Sequence, residues 1–91
     1  MSISVKIPSL LREITSGRDT IELSGVSSFR EALDEMEKLY PGIRMQLYNK
    51  HDQLSPIFEI YVNGVSAYPD ELAAPLKDGD EVAISMLYVG G

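Results

Sequence analysis

The hydrophobic pattern of this chain changes period twice, and that narrows the folds open to it. Ile3, Val5 and Ile7 alternate with Ser4 and Lys6, the period-two signature of a half-buried strand. Phe29, Ala32, Leu33, Met36, Leu39 and Tyr40 then recur at helical spacing, with Arg30, Glu31, Asp34, Glu35, Glu37 and Lys38 on the other side. Period two returns with Val82, Ile84 and Met86. One amphipathic helix between β-rich halves suits an α+β sandwich, with the helix laid across one face of a sheet.

The connecting residues sharpen the order. Ile21 and Leu23 predict a second strand, antiparallel to the first through a connection that turns at Ser16-Gly17. Ser28 with Glu31 three residues later forms a capping box and sets the helix start; Pro41-Gly42 stops the helix. Ile57-Phe58-Glu59-Ile60-Tyr61-Val62 is β-rich and runs into Asn63-Gly64, a type I′ hairpin signal with a short return strand over 65–68. Leu72 and Leu76 anchor a proline-containing loop, and Lys77-Asp78-Gly79-Asp80 turns into a last strand over 81–86. Residues 43 to 56 give no firm pattern beyond a helical hint at Ile43, Leu47 and Tyr48 and a polar loop after it.

Ninety-one residues form one domain, expected over 1–86 and followed by a flexible tail, 87–91. No apolar run reaches the roughly 20 residues of a membrane span, and the N-terminal residues lack the layout of a secretion signal. We expect a soluble, cytoplasmic protein with no membrane partner. With no cysteine the chain has no disulfide, thiolate metal site or cysteine nucleophile. Fourteen acids against eight bases give a net charge of −6, which repels phosphate backbones and favours basic protein surfaces; no nucleic-acid partner is expected.

The inventory also argues against an active site within the domain. There is one histidine and no glycine-rich phosphate loop or paired histidines at metal spacing, so no metal site is expected. His51, beside Asp52, reads as a solvated loop residue rather than a general base. Glu31, Asp34, Glu35 and Glu37 read as the solvent face of the helix rather than as metal ligands or acids. Glu59 either meets a basic partner or points outward between two apolar neighbours.

The exception is the end of the sequence, Leu87-Tyr88-Val89-Gly90-Gly91. At ordinary glycine usage of about 7% per position, a terminal pair arises by chance in roughly 0.5% of chains. Glycine lets an extended segment thread a narrow channel and leaves a terminal carboxylate unshielded. Such a carboxylate is unreactive until a leaving group is attached, so the expected chemistry belongs to a partner that activates Gly91. Leu87, Tyr88 and Val89 are apolar residues beyond the packed strand and are candidates for docking.

The element order, Tyr61-Val62-Asn63-Gly64, Leu76-Lys77-Asp78-Gly79-Asp80-Glu81-Val82 and Gly90-Gly91 together resemble the ThiS/MoaD group of ubiquitin-like sulfur carriers over essentially the whole chain. The opening Val5-Lys6-Ile7-Pro8-Ser9-Leu10-Leu11-Arg12 is nearer to the carriers for cysteine synthesis than to molybdopterin synthase small subunits.

The resemblance implies a β-grasp fold, a mixed sheet whose last strand lies centrally beside the first. It implies a carrier rather than an enzyme, with no bound cofactor. An adenylating enzyme of the ubiquitin-activating type would use ATP to convert the Gly91 carboxylate, presented by Gly90, to an acyl-adenylate. Sulfur would then replace AMP to give a thiocarboxylate. A second, sulfur-accepting biosynthetic enzyme would take that sulfur, onto an activated serine derivative for cysteine or a precursor of molybdopterin.

Docking in the family uses an apolar patch on the sheet with the tail, which points to Phe58, Ile60, Leu87 and Tyr88. Alternation cannot place all of these outside: if the face shared by Phe58 and Ile60 is core, only the tail residues remain. Two alternatives stand beside the carrier reading, a ubiquitin-like modifier joined to lysines through Gly91 and an interaction subunit with no activation.

Overall fold

The computed structural model describes residues 2–87. Strand β1 (Ile3–Lys6) pairs antiparallel with β2 (Thr20–Leu23). Helix α1 (Phe29–Leu39) and a short helix α2 (Ile43–Leu47) follow, then β3 (Phe58–Val62), β4 (Val65–Ser66) and β5 (Glu81–Met86). The sheet order is β2-β1-β5-β3-β4, with β5 parallel to β1 and antiparallel to β3. This mixed five-stranded sheet with one main helix against it is the β-grasp.

Period two sorts the side chains of every long strand. Ile3, Val5, Ile21, Leu23, Phe58, Ile60, Val82 and Ile84 turn to one side and enter a single buried cluster. Phe29, Ala32, Leu33 and Met36 of α1, none of them measurably exposed, close it from the helix side. Burying a large aliphatic or aromatic side chain is worth about 1.5–3 kcal/mol each, so the shared face is what holds helix to sheet. The helical stripe is narrower than its spacing suggests: Leu39 lies outside it at 56% exposure.

The capping box is present in shifted form. Ser28 Oγ accepts the Glu31 N–H at 3.2 Å. The Glu31 carboxylate, however, accepts from the N–H and hydroxyl of Ser27 rather than from Ser28. Gly42, at φ 104°, makes the left-handed exit after Pro41, as glycine does without strain.

Residues 43 to 56, which carry no firm sequence pattern, are organised by polar contacts. The Glu37 carboxylate accepts the N–H groups of Gly42 and Arg44 at the start of α2. These two backbone donors, Arg44's first, hold its carboxyl below the usual range. Arg44 in turn pairs with Asp34. The acids of α1 are therefore structural, with Glu35 pairing Lys38 at 3.1 Å. Past α2, Asn49 Oδ1 accepts from the N–H of His51 and of Gln53, an Asx-type turn, and His51 is an exposed loop residue.

Candidate functional site

The segment that carries the candidate chemistry follows in sequence on β5, a strand in the middle of the sheet. β5 is flanked on one side by β1, through Ser4↔Glu81, Val5↔Val82 and Lys6↔Ala83, and on the other by β3 along its whole length, from Val62↔Val82 to Phe58↔Met86. The ladder runs one residue further, with Leu87 N–H donating to Ile57 O at 2.7 Å. The Leu87 side chain is 44% exposed. Of the positions expected to carry the site, Tyr88, Val89, Gly90 and Gly91 lie outside the described residues.

The start of β5 is gripped by a polar clasp. Asn63 sits in the left-handed region at φ 52°, followed by Gly64 at φ 82°, the paired positive values that a type I′ turn needs. That turn aims the Asn63 side chain across to β5. Its Nδ2 donates to Asp80 Oδ1 at 3.0 Å, and its Oδ1 accepts the Glu81 N–H at 2.9 Å. The second Asp80 oxygen accepts the Lys77 N–H at 2.9 Å. Asp80 is buried, and the Asn63 amide first and the Lys77 N–H second hold its carboxyl below the ordinary value. Asn63-Gly64 and the Asp78-Gly79-Asp80-Glu81-Val82 run, separate turns along the sequence, are thus two halves of one fastening.

Phe58 and Ile60 are corrected as surface docking positions. They are 3% and 1% exposed and belong to the core, because the face they share is the one turned to the buried cluster. The opposite face of the sheet carries Ser4, Lys6, Glu59, Tyr61, Ala83 and Ser85, with Lys6, Ala83 and Tyr61 in register across three strands. Tyr61 donates its hydroxyl to the Glu59 carboxylate; that bond first, and the negative charge beside it, raise the tyrosine's pKa. Glu59 therefore already has a partner on a polar, not apolar, open face.

Exposed apolar surface collects instead around the exit of β5. Ile57 is 41% and Tyr68 78% exposed, and a groove of about 450 Å³ runs between Leu54, Pro56, Tyr68, Glu71 and Leu87 beside the outer edge of β3. Sequence alternation missed it because Leu54, Pro56, Tyr68 and Glu71 lie outside the regular strands. Among the described residues, no group of three or more His, Cys, Asp or Glu side chains could hold a metal ion. No helix among them is long and apolar enough to cross a membrane.

A small ubiquitin-like β-grasp domain, with its central last strand leading into Gly90-Gly91, defines the class. Comparison with known proteins narrows it. The model of the ThiS family matches residues 5–91, and the chain belongs to that family. It is 31% identical to the sulfur carrier protein CysO of Mycobacterium tuberculosis, over all of both chains. The structure superposes with a TM-score of 0.86 on a chain of the BexX/CysO complex of Amycolatopsis orientalis, 31% identical and covering 98% of this chain and 99% of that one. Small archaeal modifier protein 1 of Methanosarcina acetivorans is 28% identical with a TM-score of 0.80, covering 99% of this chain and 96% of that one.

Proposed function

We propose that this protein is a sulfur carrier that works as the substrate of other enzymes, with Gly91 as the reacting residue. The observation that carries the reading is the family match, which runs through Gly90-Gly91 to residue 91, joined to full-length similarity to a protein named as a sulfur carrier. The inventory of the domain supports it, since there is no cysteine and the acids of α1 are engaged in capping and pairing.

In this reading a carboxylate oxygen of Gly91 attacks the α-phosphorus of ATP on a partner enzyme, and pyrophosphate leaves. Hydrosulfide supplied by the partner system then attacks the carbonyl, the C–O bond to AMP breaks as AMP leaves, and after loss of the S–H proton the thiocarboxylate remains. The thiocarboxylate sulfur is a nucleophile for a second enzyme. Similarity to CysO favours an acceptor on the route to cysteine over one on the route to molybdopterin.

The domain's part is mechanical. β5 is held between two neighbours, so the partner grips a segment rooted in the sheet rather than in a loop. The test is the intact mass of the protein purified from its native host, together with the fate of a chain lacking Gly91. A sulfur-for-oxygen mass gain that disappears with Gly91 is expected. A normal carboxyl terminus under conditions that preserve a control thiocarboxylate overturns the reading.

The similarity to the archaeal modifier favours one second reading, capture of activated Gly91 by a lysine amine. Covalent adducts of higher mass that require Gly91 would support it, and a single unattached species would count against it.

A further inference from the structure

We propose that Asn63-Gly64 is a latent deamidation site, guarded by the same bonds that fasten β5, and that its reaction permanently opens the clasp.

The chemistry is intrinsic to the dipeptide. The Gly64 nitrogen, losing its proton to solvent base, attacks Asn63 Cγ; the new C–N bond closes a five-membered succinimide, and the Cγ–Nδ2 bond breaks with release of ammonia. Water then opens the ring at either carbonyl, leaving an aspartyl or an isoaspartyl residue. No oxidant or enzyme is required. Glycine favours the first step because it has no β-carbon to hinder its own nitrogen.

The turn leaves one reactant free and holds the other. Gly64 is exposed, its N–H has no hydrogen-bond acceptor among the described residues, and none of their atoms lies within 4 Å of where its β-carbon would stand. The Asn63 amide is held at both ends instead. Its Oδ1 accepts the Glu81 N–H at 2.9 Å and its Nδ2 donates to Asp80 Oδ1 at 3.0 Å, while the Asn63 backbone N–H donates to Glu81 O at 2.7 Å. Closing the ring means turning the face of that amide onto the Gly64 nitrogen and breaking the bonds to β5.

Reaction would carry across the contact. The product carboxylate has no N–H to give, and it would stand where Nδ2 now meets Asp80, a buried carboxylate that also accepts the Lys77 N–H. Two carboxylates at that separation repel. An isoaspartyl residue further lengthens the backbone of a tight turn whose register pairs Val62 with Val65. A chain that opens and reacts therefore cannot refasten, and β5 loses its polar hold at the end farther from Gly91.

The test incubates the full 91-residue chain at mildly alkaline pH, folded and in guanidinium chloride, and follows Asn63 by peptide mapping that separates aspartyl from isoaspartyl products. The folded chain should react about ten-fold or more slowly than the denatured one, since only the locally opened fraction reacts. Asp80→Ala, which frees Nδ2, should speed the folded reaction several-fold; Glu37→Gln, which loosens the start of α2 and leaves the clasp intact, should not. Asn63→Asp, carrying the charge of the product, should melt below the parent chain, and adding Asp80→Asn should restore part of the loss.

Equal rates in the folded and denatured chains, no response to Asp80→Ala in a chain shown folded by circular dichroism, products without isoaspartyl, or unchanged melting of Asn63→Asp each overturn the proposal. If Asp80→Ala does not fold, the folded-against-denatured comparison and the Asn63→Asp pair still decide it. None of these readouts involves Gly91, so the carrier reading stands or falls separately on the mass of its terminus.

Discussion

The two ends of β5 are built in different ways. At its start, the Asp80 carboxylate, the Asn63 side chain and the backbone of Lys77 and Glu81 interlock, while Ser4 N–H bonds Asp80 O at 3.2 Å and Gly79 N–H bonds Ser2 O at 3.0 Å. At its finish, β1 has already left the ladder and only β3 remains, ending at the Leu87 to Ile57 bond. Most of the polar fastening lies at the end farther from Gly91. The motif that most distinguishes the sequence therefore secures the strand, and the exit is left accessible to a partner.

Breaking the core beneath the exit should have the largest effect. Phe58→Ala removes a side chain that is 3% exposed and should cost about 3–5 kcal/mol of stability, read from chemical denaturation. If Phe58 were a docking residue, the variant would lose partner binding with little change in stability.

Next is the clasp. Asn63→Ala removes the side-chain bonds to Asp80 and Glu81 and leaves a β-carbon in the left-handed region, for a loss of about 1–3 kcal/mol. Asn63→Gly restores the backbone freedom but not the bonds, and so should fall between. Equal stability of all three chains would mean the clasp does not hold the strand.

Acid should loosen this clasp and the Glu37 contacts that hold the start of α2. Asp80 and Glu37 lie below their ordinary values of 3.8 and 4.5 in the folded chain. Unfolding returns them to those values, so the unfolded chain takes up protons first as pH falls. Their contribution is complete above the ordinary values and is lost as pH drops through the depressed ones. A chain carrying Asp80→Asn and Glu37→Gln should show a flatter stability profile below about pH 4.5; an unchanged slope would refute the assignment.

The smallest effect on stability is expected at the exit. Leu87→Ala, at a side chain 44% exposed, should cost under about 1 kcal/mol. Its effect on tail activation should be disproportionately larger, seen as a slower appearance of the Gly91 thiocarboxylate at equal protein stability. A parallel loss of both would make Leu87 a packing residue.

Much of the fold was legible because its signals are local. The alternation of Ile3, Val5 and Ile7, the Ser28 cap, the Pro41-Gly42 stop and the Asn63-Gly64 turn all act within a few residues. Leu39 was misplaced because a helix's buried stripe is as wide as the surface it meets, which spacing does not report. Residues 43 to 56 were only partly legible: the helical hint at Ile43 and Leu47 is α2 and the polar loop follows it, but what holds the segment in place was not readable, for a related reason. α2 is five residues long, too short to hold itself, and depends on a Glu37 carboxylate reaching back from another helix.

For the site, the sequence alone supplied Gly90-Gly91, the lack of cysteine and the acidic balance, since these are properties of composition and order. Alternation could pair Phe58 with Ile60 but not say which way they faced. Tertiary structure decided that, because burial of a strand face depends on what packs against it. It also brought Leu54, Pro56, Tyr68, Glu71 and Leu87 together around one groove, residues up to 33 positions apart, because the loops that carry them are placed by what the sheet and helix pack against.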